Sequence, residues 1–221
     1  SEKEIFLREY ISNASDACDK LRYEALQDQK IKISKEFKIL ISFSKKNKTI
    51  SITDNGIGMN KDELINSLGT IAKSGTEEFI KKLEEKKEKN NELIGKFGVG
   101  FYSGFMIADK ITVISKKPVS KVAWKWVSEG KGNFDIEETN SDETGTKIIL
   151  ALKNNASEYL EHTRLSSIIK KYSNHISHQV FLCNEDEKEI KEERINDSLA
   201  LWTKNKNEIK NEEYNNFYTQ L

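Results

Sequence analysis

Five residues near the start of the chain have the types and spacing of a ligand-binding helix face. Glu9, Asn13, Asp16, Ala17 and Lys20 follow one another at i, i+4, i+7, i+8 and i+11, which places them on one side of a helix. Carboxylate and amide oxygens can accept protons or hydrogen bonds and can bind a hard cation. The pattern therefore indicates a polar ligand, with a solvated helix surface as the alternative reading.

Glycines mark two further segments that favour close contact between backbone and ligand. Eight of the eleven glycines lie between Gly56 and Gly104, and glycine allows both a positive φ and a close backbone approach. Residues 54–58 place an acid before two glycines, although this sequence is also typical of an ordinary turn. Residues 95–101 carry three glycines before an apolar stretch, which predicts backbone N–H groups at a helix start, where phosphates bind. No Walker motif is present, because no Gly-Lys-Ser/Thr follows.

The elements that would position these residues can be read from the hydrophobic pattern. A helix is predicted over residues 4–26, a capped helix begins after Asn60 with Glu63 three residues on, and another helix covers 164–178. A hairpin or short linker is predicted over 184–197. Alternating apolar and polar residues predict strands over 37–44, 48–54, 111–115, 121–127, 134–138, 145–152 and 180–183. The fold class is therefore α+β.

Composition excludes several classes of protein. The longest apolar run, 148–152, is far shorter than the roughly 18 residues of a membrane span, and the charged start is unlike a signal peptide. Cys18 and Cys183 form neither a disulfide framework nor a metal motif, which favours a reducing compartment. The 36 basic residues balance the 36 acidic ones, which argues against nucleic-acid binding. We expect a soluble intracellular protein with no membrane or nucleic-acid partner.

Four sequence blocks together resemble one family. Residues 3–17, 53–59, 68–76 and 98–103 are similar in order and spacing to the motifs of the heat-shock protein 90 chaperones. Residues 200–204 and 212–214 resemble its bacterial or organellar branch. The resemblance implies a two-layer sandwich of helices over a mostly antiparallel twisted sheet, the Bergerat-type ATP-binding fold. It implies an ATP-binding domain over 1–194, with a lid over about 69–100, and a linker and truncated start of a middle domain over 195–221.

The resemblance also implies site roles. Glu9 would be the general base for hydrolysis, and Asn13 would bind Mg²⁺ between the phosphates. Asp54 would accept a hydrogen bond from the adenine amine, Thr146 would share that network, and Ala17 and Met59 would pack on the base. Lys73 would approach the phosphates from the lid, with a solvated lysine as an equal alternative. The implied nucleotide-binding set is Asn13, Asp16, Ala17, Lys20, Asp54, Gly58, Met59, Lys73, Phe97, Gly98, Val99, Gly100, Phe101 and Thr146.

By the same resemblance, the protein is an ATP-dependent molecular chaperone in which ATP, with Mg²⁺, drives lid closure and a dimer clamp on client proteins. Expected partners are unfolded clients, co-chaperones and a second copy of the full-length protein. The expected location is the cytoplasm, or alternatively a mitochondrial or plastid matrix, and the expected context is the stress response. A nucleotide-binding conformational switch without significant turnover is the alternative function.

Three departures from the family pattern qualify these expectations. Tyr10 replaces the usual aliphatic residue after the general base and is expected to change the back of the pocket. Ser67 stands where many members carry asparagine or another polar residue. The sequence starts at Ser1 within the family signature and ends at Leu221, before the middle-domain arginine of relatives. We therefore expect weak or absent ATP hydrolysis by this fragment alone.

Overall fold

The computed structural model describes residues 2–33, 35–69, 100–173 and 175–196. Its helical elements are the 3₁₀ helix Glu2–Glu4, α1 Ile5–Gln27, α2 Lys61–Leu64 with a π turn Ile65–Gly69, the 3₁₀ helix Gly100–Met106 (helix 100–106 below), the 3₁₀ helix Asn154–Leu160 and α3 His162–Ser173. Its strands are β1 Lys38–Ser44, β2 Thr49–Asp54, β3 Ala108–Lys116, β4 Ala123–Ser128, β5 Asp135–Thr139, β6 Gly145–Leu152, β7 Gln179–Asn184 and β8 Glu193–Arg194.

The described strands form one eight-stranded sheet in the order β5-β4-β3-β6-β2-β1-β7-β8. Neighbouring strands are antiparallel except for β1 and β7, which are parallel. Helices α1 and α3 and helix 100–106 contribute buried apolar side chains to the core that the sheet shares. This arrangement confirms the α+β class and the mostly antiparallel sheet, and the predicted hairpin after β7 is present as the β7–β8 pair.

Helix α1 forms because its 23 residues contain neither glycine nor proline, and because its apolar residues recur every three or four positions. The buried face includes Phe6, Leu7, Ile11 and Leu21, so that the polar face with Asn13 points away from the core. At its start, Glu4 accepts hydrogen bonds from Arg164 (2.7 Å) and Lys171 (3.2 Å), which join α1 to α3.

Helix α3 ends at Ser173, earlier than the predicted end at residue 178. Ile176 is buried as expected, but it reaches the core from a turn that follows the helix. The side-chain amide of Asn196 donates to the carbonyls of Ser173, Ile176 and His178, with the shortest distance 2.9 Å to His178. This distant residue satisfies the carbonyls of the turn, a contact that helical periodicity cannot reveal.

The packed region continues to the end of the described residues. Ile195 and Asn196 are both buried, and the Asn196 side chain accepts a hydrogen bond from the Val180 backbone N–H at 2.8 Å. Both residues therefore pack with β7 at the end of the described ranges. Among the helices of the described ranges, none has the length and apolar character that a membrane span requires.

Candidate functional site

A cavity of about 240 Å³ lies between α1, the sheet and helix 100–106. Its lining residues come from α1, from the strands β2, β3 and β6, from the segments that follow β2, and from helix 100–106. They are Tyr10, Asn13, Ala14, Ala17, Ile52, Asp54, Ile57, Gly58, Met59, Ser67, Leu68, Phe101, Val113, Thr146 and Ile148. Apolar walls with a few polar groups are typical of a site for a small organic ligand or cofactor.

Gly56 allows α1 to approach the end of β2 closely. A Cβ on Gly56 would lie only 2.5 Å from the Ala17 carbonyl carbon, so any side chain would push the helix away. The Ile57 backbone N–H donates to the Ala17 carbonyl at 3.0 Å. The glycine and this hydrogen bond together bring Ala17 and Asp54 to the same cavity, although they are distant in sequence.

Asp54 is the buried acid of the cavity, with only 8% of its surface exposed. Burial raises the pKa of its carboxyl to about 7, while hydrogen bonds from the backbone N–H groups of Gly56 and Thr146 act in the opposite direction. The Gly56 N–H lies 2.9 Å from Oδ1. Because Asp54 pairs directly with Thr146 across the β2–β6 ladder, strand register places these two polar side chains together.

Ser115, which the sequence analysis did not identify, connects the polar groups at this end of the cavity. Its hydroxyl lies 2.8 Å from Thr146 Oγ1 and 3.2 Å from the Gly145 carbonyl, and it accepts a hydrogen bond from the Met59 N–H at 2.8 Å. Ser115 is opposite Thr146 in the β3–β6 ladder. The sequence showed only a serine at the end of an apolar strand. Its role depends on the pairing of Ser115 with Thr146, which is distant in sequence.

Two glycines with positive φ shape the backbone at this end. Gly58 has φ +63°, and a Cβ there would collide with the Lys116 carbonyl. Gly145 has φ +123°, and a Cβ there would collide with the Asp54 carbonyl. A side chain at position 145 would separate the strand ends that carry Asp54 and Thr146, and one at position 58 would push the loop after β2 away from the end of β3.

Glu9 lies on α1 beside helix 100–106. Its Oε1 accepts hydrogen bonds from Arg8 Nη2 at 2.8 Å and Arg8 Nε at 3.2 Å, and its side chain is 13% exposed. The other oxygen, Oε2, faces Gly100 so closely that a Cβ on Gly100 would collide with it. The Glu9 carboxylate is therefore held between a guanidinium and a glycine backbone.

The structure brings together seven of the predicted nucleotide-binding residues along the cavity: Asn13, Ala17, Asp54, Gly58, Met59, Phe101 and Thr146. Gly100 lies beside Glu9. Asp16 and Lys20 are exposed on α1 and do not line the cavity wall. Lys73, Phe97, Gly98 and Val99 lie outside the described residues, as does the predicted lid except for its end residues Gly69 and Gly100.

Apolar lining residues were largely missed by the sequence analysis. Ile52, Val113 and Ile148 come from three neighbouring strands, and nothing in their local sequence separates them from other core residues. The two residues noted as departures, Tyr10 and Ser67, both line the cavity. Their position agrees with the expectation that Tyr10 affects the shape of the pocket.

The donor set fits a cation that is held partly by a bound ligand. No group of three or more His, Cys, Asp or Glu residues that could bind a metal by itself occurs within the described ranges. Asn13, however, lines the cavity from the polar face of α1 and offers an amide oxygen, a ligand suited to Mg²⁺. A bound ligand and water would have to supply the rest of such a coordination shell.

Residues 2–211 match the sequence model of a family described as histidine kinase-, DNA gyrase B-, and HSP90-like ATPase. The chain is 50% identical over 231 residues to chaperone protein HtpG of Helicobacter pylori, covering 99% of the chain and 37% of that relative. It is 50% identical over 236 residues to HtpG of Polaromonas naphthalenivorans, covering 100% of the chain and 38% of that relative. It is 51% identical over 228 residues to HtpG of Borreliella afzelii, covering 99% of the chain and 37% of that relative. The chain thus spans little more than a third of these relatives, and it belongs to the family of histidine kinase-, DNA gyrase B- and HSP90-like ATPases.

Proposed function

We propose that this chain is the ATP-binding domain of an ATP-dependent molecular chaperone. The observation that carries the proposal is the buried Asp54 carboxylate, paired with Thr146 at one end of a mainly apolar cavity. The identity to HtpG chaperones supports the cellular role, and the ATPase family supports the ligand class. In the full-length protein, binding and hydrolysis of ATP would drive the chaperone cycle on unfolded clients.

Asp54 would select adenine through one hydrogen bond. Its ionised carboxylate would accept a hydrogen bond from the exocyclic amine of adenine, whereas guanine presents an oxygen at the corresponding ring position. Two acceptors would then face each other in a buried site, which costs free energy on the order of a few kcal/mol. The Ser115 and Thr146 hydroxyls would orient water beside the base, and Ala17 and Met59 would pack against its faces.

Residues toward the other end of the cavity would bind the phosphates. Asn13 would hold Mg²⁺, which when bound neutralises phosphate charge. Gly100 and Phe101 begin the helix that follows the glycine-rich segment, and backbone N–H groups at such a position favour anions. Glu9 would accept a proton from the attacking water as the general base.

Several finer assignments rest on the family resemblance and are part of the proposal. Phe97, Gly98 and Val99 would contact phosphate and sugar, and Asp16, Lys20 and Lys73 would complete the polar surroundings. Residues 69–100 would form a lid within an ATP-binding domain of residues 1–194. Residues 195–221 would form a linker and the start of a middle domain. The full-length protein would act as a homodimer with clients and co-chaperones, in the cytoplasm or an organelle matrix, during the stress response. Hydrolysis by the isolated 221-residue chain would be weak or absent.

Calorimetric titration of the chain with Mg·ADP tests the proposal. We expect the Asp54→Asn variant to bind about 100-fold more weakly, because the substitution removes a buried, charge-assisted hydrogen bond. Asp135→Asn is a matched control, since Asp135 is an exposed acid on β5 and does not line the cavity. Equal affinity of the parent and the Asp54→Asn variant, with both folded by circular dichroism, would contradict the proposed adenine site.

A further inference from the structure

Tyr10 makes a contact that the proposed roles do not use. Its hydroxyl donates to the Phe101 backbone carbonyl at 2.7 Å, and the Gly104 backbone lies against the same hydroxyl. Phe101 and Gly104 are three residues apart in helix 100–106. One phenol from α1 thus bonds to one end of a turn in a different helix and packs against the other end.

Gly104 is adapted to this contact. A Cβ at position 104 would collide with the Tyr10 hydroxyl oxygen and would lie 3.0 Å from Tyr10 Cζ. The absence of a side chain therefore leaves the space that the phenol occupies. Because φ at Gly104 is not positive, conformational freedom does not require glycine here, and the approach of Tyr10 is sufficient to explain it.

The surroundings fix the Tyr10 ring and keep its hydroxyl a donor. Tyr10 is 0% exposed, and its ring lies edge-on to Phe101 with centroids 5.7 Å apart. Phe6 contacts it from the other side at 6.2 Å. Burial, with Tyr102 nearby, raises the pKa of the phenol well above its ordinary value, so the hydroxyl stays protonated at any physiological pH.

Glu9 and Tyr10 are consecutive in sequence, and so are Gly100 and Phe101, which they contact. Glu9 faces Gly100, while Tyr10 bonds to Phe101 and packs against Gly104. A shift of helix 100–106 along α1 would therefore break the Tyr10 hydrogen bond and move Gly100 away from Glu9 at the same time. Of the Glu9 and Tyr10 side chains, only Tyr10 donates a hydrogen bond to the backbone of helix 100–106.

We infer that Tyr10 is a positioning residue for ATP hydrolysis, which holds helix 100–106 in register so that Gly100 stays against the Glu9 carboxylate. The inference rests on the proposed function, because it takes Glu9 as the general base. Tyr10 acts through the placement of Glu9 and Gly100 and exchanges no proton with the reacting groups. A small displacement at such a position lowers the rate of the chemical step more than substrate binding.

The test is Tyr10→Phe in the full-length protein that carries this chain. The variant keeps the ring and loses only the hydroxyl. We expect kcat for ATP hydrolysis to fall about tenfold while KM for ATP stays within about twofold. Hydrogen exchange at the Gly104 amide, followed by NMR in the same variant, should become at least about tenfold faster, since helix 100–106 loses the hydrogen bond that holds it to α1.

Ser128→Ala is the matched control. The Ser128 hydroxyl is also buried, donates to the Asn133 carbonyl at 2.7 Å and accepts from the Gly130 N–H at 3.1 Å, but it lies in the β4–β5 hairpin. We expect this variant to lose stability to a similar degree with kcat unchanged. A fall in kcat equal to that of Tyr10→Phe would show that general destabilisation explains both and would overturn the inference.

Other outcomes separate the inference from the proposed function. Faster Gly104 exchange with unchanged kcat, or unchanged Gly104 exchange, would overturn the positioning role while leaving ATP hydrolysis established. No ATP hydrolysis by the parent would instead contradict the proposed function. If Tyr10→Phe folds poorly, Gly104→Ala provides a second test, because its added methyl group should displace the Tyr10 hydroxyl and lower kcat with little change in KM. Full activity of Gly104→Ala would overturn the inference.

Discussion

The two ends of the cavity are held together in different ways. Around Asp54, three strands supply polar groups that are paired by ladder register, and the Ser115 hydroxyl bonds to neighbours on both sides. Around Glu9, one helix meets helix 100–106 through the Glu9 and Tyr10 contacts, and Arg8 occupies one carboxylate oxygen. The first end depends on the sheet, and the second depends on the relative position of two helices.

This difference suggests that the Asp54 end of the cavity recognises the ligand and the Glu9 end serves hydrolysis. A register-fixed group of hydrogen bonds is suited to recognising a base, since its geometry changes only if the sheet changes. The Glu9 carboxylate, by contrast, keeps its place beside Gly100 only while α1 and helix 100–106 keep their relative position. Recognition at one end and hydrolysis at the other should therefore respond separately to substitution.

The largest difference between the effect on ATP hydrolysis and the effect on ADP affinity should come from Glu9→Ala in the full-length protein. We expect ATP hydrolysis to fall at least about 100-fold, because the general base is removed, while ADP affinity stays within about twofold. Steady-state phosphate release and calorimetry measure the two quantities. Glu24→Ala, on the same helix but outside the cavity lining, is the control and should change neither. Parallel losses of affinity and turnover would show that the two ends do not act separately.

A second prediction concerns the cost of burying Asp54 in the ligand-free protein. Its pKa is raised from an ordinary 3.8 to about 7. Below pH 3.8 the carboxyl is protonated in both folded and unfolded chains; as the pH rises, the unfolded chain releases the proton first, so the folded state loses relative stability up to about pH 7.

Between about pH 5.5 and pH 8, the parent should therefore lose about 2 kcal/mol of unfolding free energy relative to Asp54→Asn. Urea unfolding of both proteins at the two pH values measures this difference, and the subtraction removes contributions from other titrating groups. A pH-independent difference between parent and variant would mean that Asp54 is not held with a raised pKa.

The smallest expected effect is that of Ser115→Ala. Loss of its hydroxyl leaves the Met59 N–H and Thr146 hydroxyl without this partner and should lower the unfolding free energy by about 1 kcal/mol. ADP affinity should fall roughly fivefold, with little change in kcat in the full-length protein. Thermal unfolding and calorimetry measure these effects. A larger effect on kcat than on ADP affinity would show that Ser115 acts together with the Glu9 end of the cavity. That result would contradict the separate action of the two ends.

Local sequence was sufficient for most elements of the fold. Helix α1 was predicted over residues 4–26 and observed as Ile5–Gln27, because an uninterrupted apolar period needs no distant contact to be recognised. The capping box of Asn60 and Glu63 is present, with each side chain bonded to the other residue's backbone N–H. The end of α3 was predicted wrongly, because the Asn196 side chain decides where the chain leaves the helix.

In the candidate site, as in the fold, sequence alone predicted some residues, whereas others depend on distant contacts. Sequence blocks identified Glu9, Asn13, Asp54 and Thr146 through their resemblance to one family, and most of the described residues among those predicted do line the cavity. Ser115 was missed because its meaning depends on the β3–β6 register, which no local pattern specifies. Asp16 and Lys20 were included because they share a helix face with Asn13, but the packing of α1 on the strand end leaves them outside the cavity wall.

The sequence by itself determined the residue types, the period of each element and the family to which the chain belongs. Only the tertiary structure decided that the Tyr10 hydroxyl bonds to Phe101 and lies against Gly104, and that burial raises the Asp54 pKa. The physical reason is that hydrogen-bond partners and desolvation depend on groups far away in sequence, whereas periodicity and capping depend on residues a few positions apart.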